Sequence, residues 1–184
     1  MKTPAIIVVC GPPCSGKTTI ADKLSTCLGF IHLEMDALRI RLLPESDHKE
    51  TDRDIAYRAM HLIAELLLRV QKGVVLDATY TRRMQRLELR DLATRTGANL
   101  YLIQCSASST HAVARFLQRC PGKHAAIDLT PVKVAESAQR FTFVREALIL
   151  HTDKGDVDEC FSAVVSYLKS EEPLSKWDWI ENGE

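Results

Sequence analysis

One stretch constrains the fold more than any other. Ala5-Ile6-Ile7-Val8-Val9-Cys10 is an unbroken apolar run, β-branched from Ile6 to Val9. A run of that kind fits a strand buried on both faces of a parallel sheet. It leads directly into Gly11-Pro12-Pro13-Cys14-Ser15-Gly16-Lys17-Thr18, which matches G-x-x-x-x-G-K-[ST]. Ile20, Ala21, Leu24 and Leu28 follow at helical spacing. The loop is therefore expected between a strand and a helix, the context that a phosphate-cradling loop requires.

The chemistry of that loop follows from its backbone. Glycines let it curl until successive N–H groups point at one anion. The helix that starts near Gly16 adds the positive end of its dipole. Gly11 through Thr19 is the expected nucleotide-binding stretch, with Lys17 reaching the β- and γ-phosphates and the Thr18 hydroxyl placed to ligate Mg²⁺.

Composition bounds the rest. A chain of 184 residues, 46% hydrophobic and 26% charged, suits one globular domain with a sizeable core. The formal net charge is +0, so no global field draws it to nucleic acid or to a membrane surface. No apolar run approaches the roughly 20 residues that span a bilayer. The first strand begins almost at the N-terminus, which leaves no room for a signal peptide and predicts a cytoplasmic protein. Cys10, Cys14, Cys27, Cys105, Cys120 and Cys160 lack C-x-x-C spacing and read as reduced thiols, with Cys14 as loop filler.

Beyond the loop, strands and helices alternate. Phe30–Leu33 reads as a second strand, followed by a helix from about Asp36 that breaks near Pro44. Glu45–Arg53 reads as a mobile polar loop. Ile55, Ala59, Leu62, Ile63, Leu66, Leu67 and Val70 predict the buried stripe of a long helix that Gly73 closes. Val74–Thr79 is the third strand and its exit, and an arginine-rich helix spans about Thr81–Thr96. Leu100–Cys105 is the fourth strand. The next helix, about Ser109–Arg119, is expected to bury Val113, Phe116 and Leu117. A polar connector, a helix over about Pro131–Val144, a fifth strand at Ala147–Leu150 and a helix at Val157–Leu168 complete the order. Trp177 and Trp179 read as packing anchors of the tail. This alternation implies right-handed βαβ crossovers and a parallel sheet covered on both faces. Ligands in such folds bind beyond the carboxyl ends of the strands, the edge at which the loop, Asp36 and Asp77 emerge.

With these motifs in order, the chain resembles the P-loop kinases of small metabolites and nucleotides. The likeness is to the AAA_33-type group that holds polynucleotide 5′-hydroxyl kinases, zeta toxins and chloramphenicol phosphotransferase. It rests on the loop, on Asp36-Ala37-Leu38-Arg39, on Val75-Leu76-Asp77-Ala78-Thr79 and on the Arg115–Arg119 helix before a polar connector, and it spans about residues 5–170. It implies a three-layer α/β/α P-loop NTPase fold with a five-stranded parallel sheet of order 2-3-1-4-5. It also implies a single domain over 1–184, with a short lid at about 120–130 and a tail at about 171–184.

Candidate roles follow. A carboxylate at Asp36 can accept a hydrogen bond from a substrate hydroxyl and take its proton. The resemblance puts the general base there, and the alternative is a helix N-cap. Arg39, one turn on, is the matching Asp-x-x-Arg arginine for an anionic group of the acceptor, or else a surface residue. Asp77 ends an apolar strand and can hold Mg²⁺ through water or brace the acceptor and Arg39; Thr79 assists through its hydroxyl. A lid arginine offsets charge on the transferring phosphoryl. Position favours Arg119, with Arg115, a nucleotide contact, and Arg140 as alternatives. Arg82, Arg86 and Arg90 form a basic stripe that is either a solvated face or, through Arg82 or Arg86, a contact to an anionic acceptor.

The expected activity is ATP- and Mg²⁺-dependent phosphoryl transfer to the hydroxyl of a small molecule, or of a nucleoside or nucleic-acid 5′ end, the last not indicated by net charge. The rival is a P-loop ATPase or nucleotide-binding regulatory module without a separate acceptor. A GTPase would carry Asn-Lys-x-Asp, which is absent, and a ring-forming ATPase would need a further helical domain.

Overall fold

A computed structural model of the chain describes residues 4–45, 50–118, 129–144 and 146–170. β1 (Ala5–Cys10) is the central strand of a five-stranded parallel sheet of order β2-β3-β1-β4-β5. The flanking strands are β2 (Ile31–Glu34), β3 (Val74–Asp77), β4 (Asn99–Ser106) and β5 (Leu148–His151). Ile6 pairs with Val74 on one side and Leu100 on the other, so β1 is hydrogen-bonded along both edges. Both of its faces are covered as well. Ile6, Val8 and Cys10 point to one core, which α3 (Glu50–Arg69) and α4 (Arg83–Thr96) close. Ile7 and Val9 point to another, under α1 (Lys17–Leu28) and α7 (Val157–Ser170). The unbroken apolar run is thus the consequence of two buried faces. This is the three-layer arrangement and strand order expected from the sequence. A third cluster joins Cys14 to α5 (Ser109–Gln118) and α6 (Pro131–Arg140) through Ala112 and Val134.

Several local expectations are corrected. Glu50–Arg53 belongs to the first turns of α3, not to a loop; residues 46–49 of that expected loop lie outside the described residues. The buried stripe of α3 is Ala56, Tyr57, Met60, His61, Ala64 and Leu68, while Ile55, Leu62, Leu66 and Val70 are exposed. The aliphatic pattern missed it because alanines let the helix approach the sheet closely and because Tyr57 and His61 bring their own polar partners inside. Gly73 does not close α3. Gln71 takes the left-handed conformation at φ 61° and returns its N–H to Leu68 O at 2.9 Å. Gly73 is needed instead because any Cβ there would collide with the Phe30 ring. Leu28 is exposed in the last position of α1, before the left-handed Gly29 turns the chain toward β2. In α5 the fully buried residue is Ala112, with Val113 and Phe116 partly covered and Leu117 exposed. α6 stops at Arg140 because Phe141 turns to an extended conformation, and the Val144 N–H donates to Gln104 Oε1 at 2.7 Å. The expected lid and the tail with Trp177 and Trp179 lie outside the described residues, apart from Leu129 and Thr130, where Thr130 caps α6.

Candidate active site

The loop after β1 is held in a shape that L-residues rarely adopt. Gly11, Cys14 and Gly16 have φ of 148°, 61° and 86°. A Cβ at Gly11 would collide with the Cys105 carbonyl, so the loop can pass over β4 only at a glycine. Cys14 carries a side chain through the left-handed region, and burial in the α5/α6 cluster holds it there. Ser15 is fully buried, and its N–H bonds to Pro12 O at 3.3 Å. Lys17 Nζ donates to Pro12 O at 2.9 Å, folding the lysine back over the turn where an anion would sit.

The next element brings in the second strand end. Thr18, in the first turn of α1, donates its hydroxyl to Asp77 Oδ2 at 2.7 Å. Asp77 is 3% exposed at the end of β3, beside Val9 of β1. The two residues that the sequence offered as metal ligands therefore touch.

Across β3, Glu34 of β2 is the register partner of Asp77. Glu34 is the N-cap of α2 (Met35–Leu42), which displaces the capping alternative for Asp36. Asp36 sits in the first turn of α2, with its side chain 41% exposed. Arg39 Nε lies 3.6 Å from Asp36 Oδ1 and is almost wholly buried, so it is not a surface arginine. Burial, then the charges of Asp77 and Asp36, push the Glu34 carboxyl above the ordinary carboxylate range. His32, also on β2, places Nδ1 2.8 Å from Asp22 and Nε2 3.6 Å from Asp77. Burial alone would disfavour its charged form, yet Asp77 and then Asp22 outweigh it and raise the pKa.

The exit of β3 is fixed from α3. Tyr57 is buried, and its hydroxyl lies 3.2 Å from Thr79 Oγ1 and accepts the Tyr80 N–H at 2.9 Å. Tyr80 is itself left-handed at φ 51°, and its hydroxyl lies 2.9 Å from His61 Nε2. Arg82 does not sit in an open basic stripe: it pairs with Glu50 at 2.5 Å and with Asp54 at 3.0 Å. Arg86 is buried and donates to the carbonyls of Tyr80 and Thr81, which removes it from the solvated face.

The opposite side of the loop faces β5. Thr152, just past that strand, donates its hydroxyl to Ser15 O at 2.8 Å and accepts from Arg115 Nη1 at 2.9 Å. Arg115 also donates to Cys14 O at 3.3 Å and to Thr152 O at 2.6 Å. Thr19, Arg115, Thr152 and Cys160 line a cavity of about 370 Å³ beside the loop. Arg115 thus braces the loop and borders that cavity. Arg119 lies outside the described residues, and Arg140 ends α6 in an exposed position. Glu34, His32, Tyr57 and Thr152 were not singled out from the sequence. Glu34 and Thr152 carried the same signal as Asp36 and Asp77, a polar residue at a parallel strand's carboxyl end; Tyr57 carried none.

No helix among the described residues is long and apolar enough to cross a membrane. No curated protein sequence matches the chain. Solved structures do. A provisionally assigned kinase from Chloroflexus aurantiacus J-10-fl is 22% identical, with a TM-score of 0.76, covering 91% of this chain and 98% of its own. The Mycobacterium tuberculosis APS kinase CysC, solved with AMPPNP and APS, is 19% identical at a TM-score of 0.70, covering 92% and 100%. A gluconokinase from Sinorhizobium meliloti 1021 is 21% identical at 0.66, covering 93% and 100%. At these identities the likeness is one of fold. The family model described as an AAA domain matches residues 6–144, well over half of the sequence, and the chain belongs to this AAA_33 family.

Proposed function

We propose that this protein is an ATP-dependent kinase that transfers the γ-phosphoryl group of ATP to a substrate hydroxyl. The observation that carries this reading is the Thr18–Asp77 hydrogen bond at 2.7 Å, which joins the phosphate loop to the strand edge bearing Asp36. The similarity in fold to an APS kinase and a gluconokinase supports the same class of reaction.

Gly11–Thr19 would bind the triphosphate through loop N–H groups and the α1 N-terminus. Lys17 would exchange its bond to Pro12 O for the β/γ-phosphates. The Thr18 hydroxyl and the Asp77 carboxylate are hard oxygen donors of the kind Mg²⁺ prefers, so they fit that ion. These two residues would hold it, and its contribution is neutralising charge on the β- and γ-oxygens. Asp36 would accept the hydrogen bond of the acceptor hydroxyl. As that oxygen bonds to the γ-phosphorus, the bond to the ADP oxygen breaks and the hydroxyl proton passes to the Asp36 carboxylate. Arg115 would keep the loop in shape, and Arg119 is the candidate for charge stabilisation from the lid. Arg39 and Thr79 complete the acceptor side. A panel of alcohols with γ-labelled ATP, scored by ADP release and product mass, tests the reading. A product heavier than its alcohol by one phosphoryl group supports it; ADP release without any such product returns the protein to the ATPase class.

A further inference from the structure

The outer face of α3 carries a second apolar stripe. Ile55, Leu62 and Leu66 follow at i, i+7 and i+11, and Val70 stands one turn further on, so all four lie on one side of the helix. That side is opposite the buried stripe of Ala56, Met60, Ala64 and Leu68, and the four side chains are between 46% and 65% exposed. The outward side of a surface helix normally carries polar and charged residues. Here an apolar ridge about 22 Å long runs down it instead. The exposed guanidinium groups of Arg58 and Arg69 border one flank. A contiguous apolar surface with a charged rim has the form of a docking site.

The sequence supplies a segment of matching chemistry. Residues 171–184 continue from α7 and set Leu174, Trp177, Trp179 and Ile180 among five acidic residues and one lysine. Large apolar groups on an acidic background complement an apolar ridge rimmed by arginine. The starting point of that segment fits as well. In a parallel sheet each crossover helix runs back against the strands, so α3, before β3, and α7, after β5, both end at the amino edge of the sheet. β5 and β3 are three strand spacings apart, and α7 and α3 cover opposite faces. With strands about 4.8 Å apart and layers about 10 Å apart, the path beneath that edge from Ser170 to Val70 is about 25 Å. An extended chain covers about 3.3 Å per residue, so the segment up to Trp179 spans about 30 Å and reaches the ridge.

We propose that residues 174–180 of this chain dock on the outer face of α3, with Trp177, Trp179 and Ile180 on the ridge of Leu62, Leu66 and Val70. The chain would then wrap the amino edge of the sheet and join its two faces. Docking of this kind does not depend on phosphoryl transfer.

Trp177 and Trp179 are the only tryptophans of the chain, so tryptophan emission from the whole protein reports this segment alone. The native protein is expected to emit further to the blue than a peptide of residues 171–184, and to resist acrylamide quenching several-fold better. Leu66→Asp and Val70→Asp, at exposed positions, should bring both readings to those of the peptide with the helical circular dichroism unchanged. Ile180→Asp should do the same from the other partner while leaving the sheet and its helices untouched. Val132→Asp, at an exposed position of α6, should not. Peptide-like emission from the native protein overturns the proposal. Protection that survives both α3 substitutions also overturns it, since the segment then packs elsewhere. So does protection that is lost on dilution, since a second copy is then the occupant.

Discussion

The Thr152 hydroxyl donates to the carbonyl of Ser15 at 2.8 Å and accepts from Arg115 at 2.9 Å, tying the end of β5 to the centre of the phosphate loop. Thr152→Val keeps the shape and removes the hydroxyl. The buried Ser15 carbonyl then loses a partner, a cost of about 1–3 kcal/mol, while Arg115 keeps its bonds to the Cys14 and Thr152 carbonyls. Urea unfolding should show that loss, and calorimetry should show weaker ATP binding, because the loop is no longer held in its curled form.

Lys17→Ala should leave a folded protein that barely turns over. Lys17 is only partly buried, and among the described residues its ammonium hydrogen-bonds to Pro12 O, so little stability depends on it. Loss of a charge-stabilising donor is expected to lower kcat by roughly 10²–10³-fold. Steady-state phosphorylation beside a thermal melt checks it; an unchanged rate in a folded variant removes Lys17 from the machinery.

Asp36→Asn retains the shape of the side chain and its place in the first turn of α2, but cannot take a proton. ATP affinity should hold, and transfer should fall by roughly 10²–10⁴-fold, the range for a lost general base. Calorimetry and product mass separate the two effects.

Tyr57→Phe removes the acceptor of the Tyr80 N–H, at a residue already held in the left-handed region. A buried N–H without its partner costs about 1–3 kcal/mol. The β3 exit should loosen, so the KM for the acceptor should rise more than the KM for ATP. Equal changes in both would show that Tyr57 serves the core alone.

His32 gives a pH signature. Its folded pKa is raised above the ordinary value of 6.5, chiefly because Asp77 and Asp22 outweigh the effect of burial. A group with a raised folded pKa binds protons more tightly when folded, so its contribution is fully present below 6.5 and is lost as pH rises through the folded value. Unfolding free energies of wild type and His32→Gln, measured across that interval, should converge as the pH increases. A constant difference would contradict the assignment.

Much of the fold was legible because β1 and its loop leave little choice. Two buried faces require an unbroken apolar strand, and the glycine pattern requires a strand before it and a helix after it. Asp36 and Asp77 could be placed from the carboxyl-end rule alone. What escaped depended on tertiary detail. The α3 face was misjudged because Tyr57 and His61 are buried by bonds to Thr79 and Tyr80, residues distant in the sequence. Arg86 looked solvated because its partners are backbone carbonyls, which no pattern of side chains reveals. Arg82 looked available because Glu50 and Asp54 belong to a helix whose first turns read as loop.

The sulfur atoms beside the phosphate loop have a chemical consequence of their own. Cys10 is wholly enclosed between the sheet and its helices, and burial pushes its thiol up to about 12 despite the Gln104 amide donating to Sγ. Burial raises Cys105 as well. Because the thiolate is the reactive species, both positions stay protonated, unreactive toward electrophiles and slow to oxidise at neutral pH. Among the described residues, covalent labelling of native protein therefore falls first on exposed Cys27, on the far end of α1 from the loop. The sheet behind the loop is furnished with thiols that behave as small hydrocarbons, leaving the site's chemistry to oxygen and nitrogen.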